Sequence, residues 1–203
     1  MSDSEYQRWE SRFASPEYIF GLEPNVFLAT HKQLLPKQGR ALAIADGEGR
    51  NGVWLAEQGL DVLSIDFSSA AQSKAQALAR QRGVVIRTRL LDVARYDWPE
   101  SAFDVVVDIF TQFSDPAERK AKFAGIRKSL KPGGLLLLQG YRPEQIVYGT
   151  GGPKSPAHMY TRALLESEFS TFSRVQIEEQ DVEMREGTAH AGMSAVISLV
   201  GWK

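Results

Sequence analysis

Short apolar runs alternate with longer amphipathic segments through the middle of the chain. This alternation predicts parallel strands joined by helices, with helices on both faces of one sheet. The run at residues 103–109 contains consecutive valines and is too apolar for a half-exposed strand, so it fits a strand covered on both faces. The predicted parallel strands are residues 41–45, 62–65, 84–91, 103–109 and 135–139.

Helix signals fill the gaps between these strands. Gly59 and Gly83 each stand where a glycine typically ends a helix. Asp115 followed by Pro116 is typical of a helix start, with aspartate as N-cap and proline in the first turn. The predicted helices are residues 50–58, 69–82, 116–130 and 161–169, preceded by residues 6–13 and 24–35.

The pattern changes near the C-terminus. Residues 175–184 and 193–202 are both strand-like, and no helical pattern separates them. They therefore predict an antiparallel pair, joined at about residues 186–192. Residues 149–156 are rich in glycine and proline and predict a loop.

Length and composition agree with a folded α/β protein. The chain has 203 residues, of which 43% are hydrophobic, and domains usually contain about 100–200 residues. We therefore expect a single domain over residues 1–203, with a helical cover at residues 1–40 and the sheet core at residues 41–203. Lys plus Arg number 24 and Asp plus Glu number 25, so the chain offers no basic footprint for nucleic acid.

Cysteine is absent from the chain. This excludes a disulfide scaffold, a zinc ribbon and a cysteine nucleophile. The start of the chain is acidic and polar, unlike a signal peptide, and the longest apolar runs are far shorter than the ~20 residues of a membrane span. We expect a cytoplasmic monomer or homodimer with no metal site, no nucleic-acid partner and no membrane partner.

A glycine-bearing turn follows the first predicted strand. Gly47, Gly49 and Gly52 fit the spacing G-x-G-x-x-G, which brings bare backbone and a helix N-terminus close to a ligand but also occurs in simple tight turns. Asp66 ends the second strand, where a carboxylate can accept both ribose hydroxyls of a nucleoside. Asp92 ends the third strand at the same edge and could meet an adenine amino group. Either acid could instead be a plain cap or turn residue.

Ligand-suited groups at three consecutive strand ends point to an adenosine-containing ligand. Both nicotinamide dinucleotides and S-adenosylmethionine contain adenosine. An NAD(P)-dependent oxidoreductase and a non-catalytic adenosyl-ligand-binding protein are therefore alternatives to a methyltransferase. The C-terminal antiparallel pair favours the methyltransferase, because a simple dinucleotide fold does not include it.

The residues around the glycine turn resemble a known family. Residues 42–51, Leu-Ala-Ile-Ala-Asp-Gly-Glu-Gly-Arg-Asn, are followed by Val-Trp-Leu-Ala at residues 53–56. Together they resemble the first motif of class I S-adenosylmethionine-dependent methyltransferases. The Gly-Glu-Gly-Arg-Asn sequence is similar to the one that recurs in the tellurite-resistance and thiopurine methyltransferase-like branch of this family. Residues 62–68 resemble the family's ribose motif, and residues 130–135 resemble its turn before the fifth strand. Residues 9–13, Tyr18 and residues 21–25 resemble the N-terminal cover of this branch.

The resemblance implies a fold, a cofactor and a site. The fold is a seven-stranded, mostly parallel Rossmann-like sheet with a C-terminal antiparallel hairpin and helices on both faces. The cofactor is S-adenosylmethionine, and the partner is a small soluble methyl acceptor such as a thiol, selenium or tellurium species. The implied cofactor-binding residues are Trp9, Arg12, Asp46, Gly47, Glu48, Gly49, Asn51, Asp66, Phe67, Asp92, Val93 and Asp108.

Two positions depart from the family's first motif. Ala43 stands where the motif has an acid, and Ala45 stands where it has its first glycine. We therefore expect Asp46, or a backbone carbonyl of the same turn, to replace the usual carboxylate contact with the methionine amino group.

The acceptor side offers few groups for acid–base chemistry. A base is needed only if the acceptor keeps its proton at neutral pH. His158, beyond the glycine-rich loop, and His190, in the C-terminal turn, are the expected acid–base or substrate contacts, although each could be a solvent-facing loop residue. Tyr148 is a further candidate, near the root of the loop. We expect the loop at residues 149–158 and the turn at residues 187–192 to form one side of the acceptor pocket.

Overall fold

Seven strands form one mixed sheet in the computed structural model, which describes residues 3–203. The strands in chain order are β1 (Arg40–Ile44), β2 (Asp61–Asp66), β3 (Arg87–Leu90), β4 (Phe103–Ile109), β5 (Leu130–Tyr141), β6 (Arg174–Glu186) and β7 (His190–Trp202). Their order across the sheet is β3-β2-β1-β4-β5-β7-β6. β7 runs antiparallel to both β5 and β6, and the other pairs are parallel. The expected sheet with a reversed C-terminal hairpin is therefore confirmed.

The helices begin at residues with recognisable capping chemistry. Asp115 accepts a hydrogen bond from the Glu118 N–H at 2.9 Å, and the Glu118 side chain accepts one from the Asp115 N–H, with Pro116 at the first helical position. Ser68 accepts from the Ala71 N–H at 3.0 Å. The helices are α1 (Asp3–Phe13), α2 (Val26–Thr30), α3 (Arg50–Glu57), α4 (Ser69–Gln81), α5 (Pro116–Ser129), α6 (Gln145–Tyr148) and α7 (Arg162–Glu168). None of these helices is long and apolar enough to cross a membrane.

The helices cover both faces of the sheet, as the continuous apolar strands predict. On one face, Leu136 belongs to a buried cluster with Phe123 of α5 and Phe169, which follows α7. On the other face, its neighbour Leu137 belongs to a cluster that includes Leu55 of α3. Successive residues of a strand point to opposite faces, so a strand covered on both sides must be apolar throughout.

Strand β3 is shorter than the apolar run that predicts it. The strand begins at Arg87, whereas residues 84–86 form a linker. The cause is the end of α4, where the Val84 N–H donates to the Ala79 carbonyl at 3.0 Å and closes the helix. The C-terminal hairpin is longer than predicted, because Glu186 pairs with His190 and leaves only residues 187–189 as the turn.

The N-terminal segment also differs from the prediction. Instead of one helix over residues 24–35, α2 ends at Thr30 and a separate 3₁₀ turn, Lys32–Leu34, follows it. Asn25 caps α2 by accepting a hydrogen bond from the Leu28 N–H at 3.1 Å. Asn25 Nδ2 also donates to the Gln139 side chain near the end of β5 at 2.8 Å, so α2 begins beside the carboxyl end of that strand.

Candidate active site

A cavity of about 850 Å³ opens at the carboxyl ends of the central parallel strands. This size lies within the range of about 300–1,000 Å³ that is usual for small-molecule sites. Ligands of open parallel sheets bind at this edge. One end of the cavity is formed by the turn after β1, the end of β2 and α1. The other end is formed by residues 151–155, His158 and the β6–β7 turn.

Asp66 connects the end of β2 with the glycine turn. Its Oδ2 accepts a hydrogen bond from the Gly47 N–H at 2.9 Å, and its Oδ1 accepts one from the Ser68 N–H at 2.8 Å. Burial raises the pKa of Asp66 to about 6, against the effect of these two hydrogen bonds. Asp66 and Gly47 both line the cavity. Because each carboxylate oxygen has a further lone pair, Asp66 can accept hydroxyl groups of a ligand while its position stays fixed.

Asp46 lies inside the turn itself. Its carboxylate accepts hydrogen bonds from Ser64 Oγ at 2.9 Å and from the Gly52 N–H at 3.2 Å. Burial raises the pKa of Asp46 to about 7, although both hydrogen bonds favour the ionised form. Asp46 also lines the cavity, so it is the acid of this turn that a cationic ligand group can reach.

Two non-glycine residues at the cavity have left-handed backbone conformations. Ala45, after β1, has a φ of 44°, and Phe110, after the neighbouring β4, has a φ of 55°. Both line the cavity. Such strain persists only where the surroundings enforce it, and it is common at functional sites.

Helix α1 covers one end of the cavity. Glu10 accepts hydrogen bonds from Ser69 Oγ at 2.7 Å and from the Ala70 N–H at 3.2 Å, which fastens α1 to the start of α4. Trp9 and Arg12 line the cavity, and the Arg12 guanidinium lies 4.6 Å from the centroid of the Trp9 ring. Trp9 Nε1 is buried and makes no hydrogen bond within residues 3–203, so it can donate to a ligand.

A buried charged network lies beside the other end of the cavity. Glu186 accepts hydrogen bonds from Arg50 at 2.6 Å, from the Val26 N–H at 2.9 Å and from Asn25 Nδ2 at 3.1 Å. Burial opposes ionisation of Glu186, but the His190 ring, the Arg50 guanidinium and the Val26 N–H outweigh it and lower its pKa to about 2. Glu186 belongs to no motif and was not predicted as a site residue, and Asn25 was recognised only as part of the segment at residues 21–25. Their contact depends on tertiary packing.

Aromatic rings surround His190. The centroids of the Phe20 and Phe110 rings each lie 4.6 Å from that of His190, and the Tyr141 centroid lies 6.1 Å away. Burial lowers the pKa of His190, which favours the neutral ring. His158, in the 3₁₀ turn Pro156–His158, lines the same cavity. The structure thus brings the loop before α7 and the β6–β7 turn to one cavity.

The structure divides the residues expected from the sequence into two groups. Those that line the cavity are Trp9, Arg12, Asp46, Gly47, Asn51, Asp66, Phe67, His158 and His190. Those that do not line it are Glu48, Gly49, Asp92, Val93, Asp108 and Tyr148. Among the described residues, no group of three or more His, Asp or Glu side chains is placed to hold a metal ion.

Each residue of the second group has a structural reason for its position. Glu48 pairs with Lys74 at 2.7 Å, and Asp108 pairs with Lys122 at 3.0 Å in the interior. The Asp92 carboxylate accepts from the Ala94 N–H at 3.0 Å and caps the short turn that follows β3. Gly49 is the N-cap of α3, Val93 belongs to the core and Tyr148 is exposed on α6.

Comparison with known proteins agrees with this geometry. Residues 41–134 match the sequence model of the family described as methyltransferase domain. Over 141 residues the chain is 30% identical to the glycine/sarcosine N-methyltransferase of Halorhodospira halochloris, a match that covers 64% of this chain and 47% of that protein. These matches support a class I S-adenosylmethionine-dependent methyltransferase. The chain spans about half the length of the curated relatives that it matches.

Solved structures share the fold of this chain. An S-adenosylmethionine-dependent methyltransferase from Methanosarcina mazei superposes with a TM-score of 0.67 at 20% identity, covering 89% of this chain and 98% of that chain. TehB from Haemophilus influenzae superposes with a TM-score of 0.68 at 15% identity, covering 87% of this chain and 61% of that chain. At these identities the likeness concerns the fold alone.

S-adenosylmethionine is the cofactor that the match to a methyltransferase domain implies, and the cavity suits it. The Asp66 carboxylate offers acceptors for ribose hydroxyls, and Trp9 Nε1 offers a buried donor without a partner in the described chain. The rings of Trp9 and Phe110 provide aromatic faces, which attract a sulfonium cation. The residues present therefore fit the cofactor.

Proposed function

We propose that the protein transfers a methyl group from S-adenosylmethionine to a small acceptor molecule. The observation that carries this proposal is one cavity with two chemically different ends, Asp66 with Gly47 at one and His190 among aromatic rings at the other. When bound, the cofactor supplies a methyl group that its sulfonium already activates. The protein then has to align two ligands and keep water away from them.

The cofactor binds at the end of the cavity that Asp66 and Gly47 form. Asp66 holds the ribose, and Asp46 is placed to meet the ammonium group of the methionine part. Helix α1 shields this end from water. The residues proposed to hold the cofactor are Trp9, Arg12, Asp46, Gly47, Asn51, Asp66 and Phe67.

For the acceptor, we propose a soft nucleophile such as a thiol, or a selenium or tellurium species. The supporting observation is the ring cluster of Phe20, Phe110 and Tyr141 around His190. Polarisable atoms such as sulfur pack favourably against aromatic rings, with about 0.3–1.5 kcal/mol per contact. His158 and His190 are the proposed acid–base residues of this end.

An amine is the second candidate acceptor. Asp115 and Glu118 both lie on the cavity wall, and their negative charge suits a cationic amine. A relative that matches part of this chain is named as a glycine/sarcosine N-methyltransferase.

Two measurements test the function. Calorimetry should show binding of S-adenosylhomocysteine but not of NAD, and the reverse result would favour the oxidoreductase. A transfer assay with a labelled methyl donor should then compare a small thiol, selenide and glycine at equal concentration. Label in the thiol or selenide product supports the soft acceptor, label in the glycine product supports the amine, and donor binding without transfer to any acceptor would point to a binding protein.

A further inference from the structure

His190 and Glu186 face each other across the β6–β7 turn. They form the last residue pair of the hairpin ladder. His190 Nδ1 lies 3.9 Å from Glu186 Oε2, with both side chains largely buried. Nδ1 makes no hydrogen bond to any described residue. The Glu186 carboxylate, 3.9 Å away, is an anionic acceptor that a proton on Nδ1 can face.

Both side chains are held in place by their surroundings. Glu186 is fixed by Arg50, Asn25 and the Val26 N–H, so the carboxylate cannot easily turn away from the ring. The His190 ring is enclosed by Phe20 and Phe110. The charged groups that act on His190 are Glu186 on β6, Arg50 on α3 and Arg12 on α1.

We infer that Glu186 is a positioning residue for His190: it holds the ring with Nδ1–H toward the carboxylate and leaves the Nε2 lone pair free to take a proton from the acceptor. A neutral imidazole carries a proton on only one nitrogen, so fixing it on Nδ1 makes Nε2 the base. The cavity lined by His190 is the one to which the methyl acceptor is assigned, and in this respect the inference rests on the proposed function.

The acceptor loses its proton to His190 as it receives the methyl group. Nε2 of His190 takes the proton of the acceptor's S–H or O–H group while the lone pair of that atom forms the bond to the methyl carbon. The electron pair of the broken carbon–sulfur bond stays on the sulfur of the cofactor product. Glu186 stabilises the imidazolium until it releases the proton to water. The acceptor class is thus a thiol or hydroxyl compound that is still protonated near neutral pH, and not a preformed anion.

The test is nitrogen NMR of the histidine rings in the ligand-free protein. The chain has only three histidines, so His31 and His158 serve as internal references. Glu186→Gln removes the negative charge, and Glu183→Gln makes the same change at an exposed position on the same strand. Calorimetry with S-adenosylhomocysteine, run on the same samples, tests the proposed function separately, because a protein that does not bind this compound fails that proposal whatever the ring state.

We expect neutral His190 to carry its proton on Nδ1 in the wild type and in Glu183→Gln. In Glu186→Gln the Nε2–H form should gain population, and the pKa of His190 should fall because the stabilising anion is gone. The inference is overturned if wild-type His190 carries its proton on Nε2, or if Glu186→Gln leaves both the tautomer and the pKa unchanged. The wild-type spectrum decides the question alone if Glu186→Gln does not fold.

Discussion

Asp66 Oδ2 accepts a hydrogen bond from the Gly47 N–H over 2.9 Å, and this contact ties the end of β2 to the turn that follows β1. Both residues line the cavity. A ligand hydroxyl at this point therefore meets a carboxylate whose position is already fixed. Such preorganisation lowers the entropic cost of binding.

The turn depends on a bare backbone at Gly49. Its φ is +87°, and a Cβ atom there would lie 2.5 Å from the Ala75 Cβ of α4. Gly83 has a φ of +70° with nothing within 4 Å of its Cβ position, so it is a matched control. The left-handed conformation costs an alanine about 1–2 kcal/mol at either site. Gly49→Ala should lose a further ~1–3 kcal/mol through the clash, and equal losses for the two variants in urea unfolding would contradict this.

Lys122 should matter for stability and not for cofactor binding. Its ammonium pairs with the buried Asp108 carboxylate at 3.0 Å. Lys122→Met leaves that charge buried without its partner and should lower the free energy of unfolding by about 3–5 kcal/mol. Lys120→Met, at an exposed position of the same helix, should change it by less than about 0.5 kcal/mol. A loss below about 1 kcal/mol for Lys122→Met in urea unfolding would show that the pair is dispensable.

Asp108 also shows where sequence reasoning ends. The alternation of apolar strands and helices predicts the parallel sheet, because a strand buried on both faces is apolar throughout, as at Val105 to Val107. The missing helix between the last two strands predicts the reversed hairpin. No such pattern shows which way a single acid at a strand end points. Asp66 lines the cavity, whereas Asp108 pairs with Lys122. Nothing in the sequence distinguishes Lys122 from a lysine on the surface.

Contacts between segments that are distant in the chain could not be predicted from the sequence either. Glu186 binds Arg50 and Asn25 only because the C-terminal hairpin packs beside the turn after β1. The resemblance to the methyltransferase family does predict that His190 and the glycine turn belong to one sheet edge. It cannot predict the rotamers or the distances that make a network.

Asp46 should give the protein a distinctive dependence on pH. Burial raises its pKa to about 7, from an ordinary value of about 3.9. Between these values the folded protein keeps a proton that the unfolded chain has released, so this group's contribution to stability falls as pH rises. Asp46→Asn cannot lose that proton. As pH rises from 4 to 8, the free energy of unfolding of the variant should increase relative to that of the wild type, by on the order of 2–4 kcal/mol. Chemical denaturation at each pH measures this difference, and a difference that does not change with pH would contradict the assignment.

Helix α1 should close more firmly when ligand is bound. Glu10 fastens it to the start of α4 through Ser69 and the Ala70 N–H. S-adenosylhomocysteine should slow hydrogen exchange of residues 3–25, and Glu10→Ala should speed exchange of residues 3–13. A lost cap costs about 1 kcal/mol, so this variant should bind the compound roughly fivefold more weakly. Glu17→Ala, in the same segment, is the control, and exchange that ligand does not change would exclude a lid.

The claim that the cavity beside Asp66 binds the cofactor is tested most directly by calorimetry, which measures the affinity of Asp66 variants for S-adenosylhomocysteine. Asp66→Asn removes the charge from the proposed ribose contact, whereas Asp61→Asn changes an exposed aspartate, paired with Arg87 at 2.7 Å, at the other end of the same strand. Loss of hydrogen bonds to a charged group costs about 1.5–3 kcal/mol, so Asp66→Asn should bind about 10–100-fold more weakly while Asp61→Asn binds like the wild type. Unchanged affinity in a folded Asp66→Asn protein, or an equal loss in Asp61→Asn, would contradict the assignment of this cavity as the cofactor site.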